Sequence, residues 1–397
     1  MRCLFTVQPA LAHFHLVAPQ ARALCDRGHD VRIATAATFA PVVEGAGFRC
    51  CPAGLDWSAD AYEEAFPEIR SVPNEDRGRV LLEDIFVRQC TPPMARDLVD
   101  LAEEWPFDVV IHDLLEFGGY VAAEALGIPH VTLGISGIVT VPMVWLRASL
   151  GPVLSDVRRT FALPPDEDLS RLFAFLRLDF VPPSYRMPDP LLPAVTRSVR
   201  PVVHDETVDS GLPAYFEHLD GAPTLLISLG SVFNRDIDLF RVLVEGLRDE
   251  SMHVIVAAGR DLDPSLLGDL PPSVHVEPYL PFSRVATYVD AAILHGGLTS
   301  TLTMLGSGVP VVFVPLAADH PVNAQRFSDL HAGLTLRRAD LKRADVRRAV
   351  RAVLDDPRYR QGARRIQREM EALDGPEAAA CLIEEVGRRK KPLEHQP

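Results

Sequence analysis

The stretch Ala291-Ala-Ile-Leu-His295-Gly-Gly-Leu-Thr-Ser300-Thr-Leu-Thr-Met-Leu-Gly-Ser-Gly-Val-Pro310-Val-Val-Phe-Val-Pro-Leu-Ala-Ala-Asp319-His320-Pro-Val-Asn323 decides the fold. Ala291 to Leu294 is a short apolar run closed by a glycine pair, the pattern of a buried strand and a tight turn. Thr299 or Ser300 is then placed to cap a helix whose apolar residues, Leu302 and Leu305, fall at helical spacing. Gly308-Val-Pro310 stops that helix. Val311 to Val314 reads as a second buried strand, which carries Asp319 and His320 onto the loop beyond its end. Two strand ends therefore meet at one crevice.

The chemistry of that crevice is anion binding. Gly296 and Gly297 admit a ligand close to the backbone, and the amides and positive dipole end at Thr299-Ser300 suit a phosphate, with the hydroxyls and the His295 imidazole as further donors. Neither G-x-x-x-x-G-K-[ST] nor G-x-G-x-x-G occurs here, which argues against a P-loop phosphoryl transferase and a dinucleotide fingerprint. A phosphate held without a lysine reads as part of a leaving group. His-Gly-Gly by itself also serves as a plain turn with His295 packed inside it, so the ordered run of elements carries the argument.

That run, His-Gly-Gly, a Thr-Ser helix start, Gly-Val-Pro, a Pro-bounded strand and Asp-His-Pro-x-Asn, resembles the donor-binding signature of the natural-product (UDP-glycosyltransferase-like) glycosyltransferases, which include antibiotic and macrolide glycosyltransferases. The resemblance implies an α/β, GT-B fold: two Rossmann-like domains facing a central cleft, with a C-terminal helix crossing back to the first domain. It also implies inverting, metal-independent transfer from a nucleotide sugar. Donor contacts are implied for His295, Gly296, Gly297, Thr299, Ser300, Thr303, Asp319, His320 and Asn323. Softer carry-overs are Ser231, after the first strand of the second half, and Tyr279-Leu280, where an aromatic residue stacks on the nucleobase; a Tyr ahead of Leu-Pro serves equally as core. His320 stands where the family commonly has Gln.

Length and composition bound the rest. The 397 residues accommodate two domains, and 47% hydrophobic content supplies two cores. A formal charge of −14, from 40 Lys+Arg against 54 Asp+Glu, argues against binding nucleic acid or an anionic membrane through bulk electrostatics. The six cysteines include no C-x-x-C pair, and adjacent Cys50-Cys51 suits a disulfide framework poorly, so reduced thiols and a cytoplasmic setting are expected. The uncharged run Val131 to Leu146 is shorter than the ~20 apolar residues of a spanning helix and is broken by Gly134, Gly137 and Pro142. No membrane span is expected.

Along the chain, strand Cys3–Val7, loop Gln8–Ala12, helix Leu16–Cys25 and strand Val31–Ala34 form an opening βαβ unit, and strands at Asp108–Asp113 and Val131–Gly134 continue a parallel sheet. Residues 151–220 lose the rhythm in a cluster of prolines. The expected domains are 1–205 for the acceptor, a linker at 206–220, 221–375 for the nucleotide sugar, and 376–397 as a helix and tail packing back on the first domain. Arg388-Arg-Lys-Lys391 reads as a solvated tail.

Ala12-His13-Phe-His15 falls beyond the carboxyl end of the first strand, where ligands bind in doubly wound sheets, and Asp113 ends a strand facing the same crevice. A His oriented by a carboxylate is a general base. Taken singly, His13 reads as a loop histidine and Asp113 as a helix cap, and His13-x-His15 lacks partners for a metal site. The resemblance supports the catalytic reading: His13, Pro19, Ala21-Arg-Ala-Leu24 and Arg27-Gly-His29 match the family pattern, with Ala12 in place of the usual Gly, and Asp113 falls on the base-orienting position. Asp236-Ile-Asp238 and Asp261-Leu-Asp263 have D-x-D spacing but sit outside the donor motif, so no metal and no cofactor is expected beyond a dTDP- or UDP-sugar as co-substrate. Trp57, Tyr62, Phe86, Met143 and Trp145 suggest a small apolar aglycone, or else are core. Thr303 stands where UDP-sugar users often have Glu, which points to dTDP. Rival readings are a nucleotide-sugar hydrolase or epimerase on the same fold, and a non-catalytic nucleotide-sugar-binding activator of another transferase. The oligomeric state, a homodimer included, is left open.

Overall fold

The computed structural model describes residues 1–135, 137–204, 211–219, 221–230, 236–259 and 262–393. Two compact units emerge: unit 1 is Met1–Val181, Arg186–Val202 and Leu373–Pro397, and unit 2 is Pro182–Tyr185 and Val203–Ala372. Among the described residues no helix is long and apolar enough to cross a membrane.

Unit 1 is built on a seven-stranded sheet of β1 (Arg2–Thr6), β2 (Asp30–Thr35), β3 (Arg49–Pro52), β4 (Val109–Asp113), β5 (His130–Gly134), β6 (Leu176–Asp179) and β7 (Thr196–Ser198). Its order is β3-β2-β1-β4-β5-β6-β7, with every pairing parallel. Unit 2 has β8 (Thr224–Ser228), β9 (His253–Ala257), β10 (Val274–Glu277), β11 (Ala291–Leu294), β12 (Val311–Phe313) and β13 (Gly333–Thr335), in the parallel order β10-β9-β8-β11-β12-β13. Helices on both faces bury β4 and β8 at every position, which is why these strands read as unbroken apolar runs. In both sheets the strand order reverses beside the first strand, between β1 and β4 and between β8 and β11. Such a switch point opens a crevice at the strand ends.

Three strands escaped the sequence reading. β6 reads Leu-Arg-Leu-Asp, and its two charges look like a surface pattern, yet all four residues are buried because Arg177 Nε donates to Asp179 Oδ1 at 2.7 Å. β7 and β13 are three residues each, too short for a periodic signal.

The first helix also begins earlier than expected, at Leu11, so His13 lies in its first turn and His15 just beyond it rather than on a loop. Pro19 sits inside the helix. Phe14, Val17, Ala18, Ala21 and Leu24 are buried at i, i+3, i+4, i+7 and i+10, and that stripe outweighs the one backbone hydrogen bond the proline removes.

The final helix, Pro376–Arg389, follows Gly375 and packs on the helix Leu11–Asp26 and against β4, β5 and β6, crossing back to unit 1. It includes Arg388 and Arg389, which were expected in a tail. Glu384 fastens it, accepting Arg27 Nε at 2.5 Å, His29 Nε2 at 2.8 Å and Arg388 Nη2 at 2.8 Å. The Arg27 guanidinium foremost, then His29, holds the Glu384 carboxyl down at about 2.

Candidate active site

In unit 1, β1 ends at Thr6 and β4 at Asp113, on neighbouring strands of the switch point. Asp113 is fully buried and accepts three hydrogen bonds, from Leu115 N–H at 2.9 Å, Gln8 N–H at 3.4 Å and His13 Nδ1 at 2.5 Å. A carboxylate in that position only accepts, so the proton sits on Nδ1 and the Nε2 lone pair becomes the basic site. The His13 side chain is 18% exposed, enough for a substrate proton to reach it. The pair expected from sequence is therefore assembled. Gln8, which the sequence reading passed over, locks the turn twice, because its Nε2 also donates to Leu115 O at 2.5 Å.

Glu116 was missed as well. Its carboxylate lies at the start of the helix Gly118–Leu126, accepting from Gly118 N–H at 2.6 Å, Gly119 N–H at 2.9 Å and the Thr6 hydroxyl. The signal was present, since a carboxylate just ahead of a helix start is favoured by the helix dipole. Burial first, and Asp113 nearby, raise its pKa to about 7. Glu116 borders a hollow that Gln8, Leu55, Trp57, Phe86, Met94 and Phe117 also line, and Trp57 stacks on Phe86 at 6.0 Å. Of the other expected pocket residues, Tyr62 packs against the Trp57 cluster. Met143 is buried beside a second hollow with Arg177, Arg186 and Asp189, and Trp145 is 70% exposed.

In unit 2, β11 delivers His295 and the turn Gly296-Gly297. Gly296 has φ +95°, and a Cβ there would stand 2.8 Å from His320 O, so only glycine fits. The following helix is Leu298–Gly306, with Gly297 as N-cap and no side-chain cap. Thr299 and Ser300 lie inside its first turn, which corrects their expected capping role. Ser300 Oγ donates to Gly297 O at 3.3 Å and Thr303 Oγ1 to Thr299 O at 2.9 Å, while the first-turn amides keep the direction an anion needs.

β12 leads through Ala318, in the left-handed region at φ +50°, to Asp319 and the helix His320–Asp329. His320 stacks edge-on against His295 with ring centroids 4.5 Å apart. Ala317 N–H donates to His320 Nδ1 at 3.2 Å, which leaves the proton on Nε2. Burial, and then His320, lowers the His295 pKa to about 3; burial lowers that of His320 to about 4. Near neutral pH the two imidazoles thus offer N–H dipoles rather than formal charge. Asn323 is fully buried, donating to Gly296 O at 2.8 Å and accepting from the Tyr185 hydroxyl, so both ends of its amide are engaged within the protein. Tyr279 is half-buried, the Leu280 side chain is buried, and Ser231 and Asp261 lie outside the described residues. Asp236 caps the helix Ile237–Leu247 by accepting from Leu239 N–H at 3.1 Å.

The buried histidines set an acid limit on stability. In unit 1, His112 and His130 sit with ring centroids 5.4 Å apart, and burial lowers their pKa values to about 3 and about 4. In the unfolded chain each titrates near 6.5, so between those values the unfolded state binds more protons and stability rises with pH. The contribution is complete above about pH 6.5 and is lost as pH falls towards the folded values. His295, His320 and Glu384 act in the same direction; Glu116, whose folded pKa is raised, acts against them between about 4.5 and 7. Four histidines outweigh one carboxyl, so the melting temperature is expected to fall on acidification from pH 7 to pH 5 at constant ionic strength. A flat or rising thermal profile would contradict neutral buried histidines.

Residues 22–203 match the N-terminal domain, and residues 243–386 the C-terminal domain, described as erythromycin biosynthesis protein CIII-like. The chain is 30% identical over 420 residues to 4'-demethylrebeccamycin synthase of Lentzea aerocolonigenes, covering 96% of this chain and 99% of that one. Among solved structures, a calicheamicin glycosyltransferase is similar at TM-score 0.82 and 26% identity, covering 98% of both chains. A glycosyltransferase of Streptomyces sp. SF2575, solved with thymidine diphosphate, is similar at TM-score 0.76 and 25% identity over 97% of this chain and 99% of that one. The fold shared with these structures is GT-B.

Proposed function

We propose that this chain, which belongs to the erythromycin biosynthesis protein CIII-like family of glycosyltransferases, transfers a sugar, expected to be a deoxysugar, from a dTDP- or UDP-sugar to an apolar natural-product aglycone with inversion at the anomeric carbon. The observation that carries the mechanism is the His13–Asp113 pair. Asp113, held by Gln8 and Leu115, fixes the Nδ1–H tautomer, so that Nε2 removes the acceptor proton and Asp113 stabilises the imidazolium that forms. The acceptor oxygen then attacks the anomeric carbon in one step through an oxocarbenium-like transition state. The leaving diphosphate is steadied by the first-turn amides of Leu298–Gly306 and by His295, and this step calls on no metal. Trp57 and Phe86 give the hollow beside Gln8 an apolar wall; at about 10 Å³ it holds one water, so an apolar ring has to displace these side chains to enter.

The donor is proposed to carry dTDP. A Glu at position 303 would accept bonds from both ribose hydroxyls, whereas Thr303 gives its hydroxyl proton to Thr299 O and has one oxygen to offer. A 2′-deoxyribose then leaves no buried polar group without a partner. The thymidine diphosphate bound to the Streptomyces relative supports this reading. The test presents one sugar on dTDP and on UDP, with a panel of polyketide-like, phenolic and saccharide acceptors, and reads products by mass. Transfer to apolar acceptors is expected, with kcat/KM for the dTDP donor at least equal to that for UDP. Thr303→Glu should move the ratio towards UDP by about tenfold or more. Strong UDP preference in the unaltered protein overturns the donor reading, and sugar release without any acceptor product favours a hydrolase.

A further inference from the structure

The four residues Pro182–Tyr185 belong to unit 2, although the chain on either side of them belongs to unit 1. Tyr185 is fully buried there, with its ring stacked on Phe327 at 4.9 Å. Arg326 holds the segment's backbone, donating from Nε to Tyr185 O at 2.8 Å and from Nη2 to Ser184 O. Ser184 N–H donates to Glu369 Oε2 at 3.1 Å. The end of this anchored segment is the Tyr185 hydroxyl, which donates to Asn323 Oδ1.

That contact has a directional consequence. A carboxamide is nearly symmetric in shape but has an accepting end and a donating end; the Gly296 carbonyl, which can only accept, selects Nδ2, and the phenol donates to the Oδ1 on the other side. With Oδ1 turned to Tyr185, Nδ2 is turned to Gly296 O, which it meets at 2.8 Å. Gly296 is the left-handed residue of the His295-Gly296-Gly297 turn, and that turn sets the start of the helix Leu298–Gly306. Burial foremost, and the Asp319 charge second, push the Tyr185 phenol well above the usual range, so it stays protonated and remains the donor at any working pH.

We propose that Tyr185 is a positioning residue for the nucleotide sugar: its hydroxyl anchors Asn323 at Oδ1, and so steadies the amide that holds the Gly296 carbonyl and with it the turn that aims the first-turn amides at the diphosphate. This rests on the reading that the turn is the donor site. Without the phenol, Asn323 Oδ1 is buried with no donor, and the amide that holds the Gly296 carbonyl is less firmly fixed. The cost falls on donor binding and not on the acceptor.

Tyr185→Phe keeps the ring on Phe327 and removes only the hydroxyl. The Kd of dTDP or UDP, measured by titration calorimetry, is expected to rise about five- to thirtyfold, the scale of one buried hydrogen bond. The donor kcat/KM should fall by a similar factor while the acceptor KM stays within about twofold. Asn323→Ala should weaken nucleotide binding by itself, and adding Tyr185→Phe to it should change Kd little further, because both act through one contact. A purely structural tyrosine would lower the melting temperature and leave Kd unchanged; that result, or additive losses in the double variant, overturns the proposal. Failure of the unaltered protein to bind either nucleotide removes the donor reading and the proposal together. Nucleotide binding with unchanged Kd in Tyr185→Phe removes the proposal alone.

Discussion

Turnover is expected to fall by roughly 10²–10⁴-fold when His13 is replaced by alanine, the range of a positioned general base, while the Kd for nucleotide stays near that of the unaltered protein. His13 and Asp113 belong to unit 1, whereas the proposed diphosphate loop, residues 295–306, belongs to unit 2. Loss of the imidazole therefore leaves every element of the donor loop in place. Asp113→Asn should act in the same direction for a different reason. An amide can turn its NH2 towards Nδ1, and the ring then carries its proton on Nε2, where the acceptor proton has to go. Stopped-time assays with an alcohol acceptor check both variants, since a strongly acidic acceptor is already ionised and masks the loss. Unimpaired turnover in His13→Ala would eliminate the mechanism.

The largest effect on stability is expected at Asp179. Its carboxylate is completely buried and accepts from Arg177 Nε at 2.7 Å and Arg186 Nη1 at 3.1 Å, and Arg177 is itself buried in β6. Asp179→Asn leaves two guanidinium groups without their carboxylate, a change that typically costs about 3–5 kcal/mol. For a unit of this size that corresponds to a melting temperature lower by roughly 6–20 °C. The double replacement Arg177→Met with Asp179→Leu should lose less than Asp179→Asn alone, because it removes the buried charge along with its partner. Scanning calorimetry separates these outcomes. A shift of less than about 2 °C in Asp179→Asn would show that the pair is not what holds the edge of the sheet.

The same two residues mark where sequence reading stops. β4 and β11 were legible because a strand covered on both faces is apolar throughout, and His13 and Asp113 were legible because each follows or ends such a strand. β6 was not, because whether a charge is solvated or paired inside depends on a neighbour that local pattern does not supply. The stretch from Ala291 to Gly306 was read correctly as strand, turn and helix, but the cap was assigned to the hydroxyls of Thr299 and Ser300. The backbone already closes at Gly297, and the Ser300 hydroxyl bonds back to the Gly297 carbonyl. Tyr185 meets Asn323 across 138 positions of sequence, with no spacing rule to connect them. Short-range chemistry was readable from spacing; partners brought together by the fold were not.

The Glu384 clasp bears on how the protein is made. A ribosome delivers Arg27 and His29 early, but the carboxylate that pairs with them follows 357 and 355 positions later. Unit 2, apart from Pro182–Tyr185, is contained in the continuous run Val203–Ala372, so its strands can all be present before that helix emerges. Unit 1 begins first and is completed last, with the face of the helix Leu11–Asp26 on which the last helix packs uncovered in the meantime. An apolar face exposed during synthesis is a hazard for aggregation. Yield on expression should therefore be more sensitive to changes in the last helix than to equally conservative changes in unit 2.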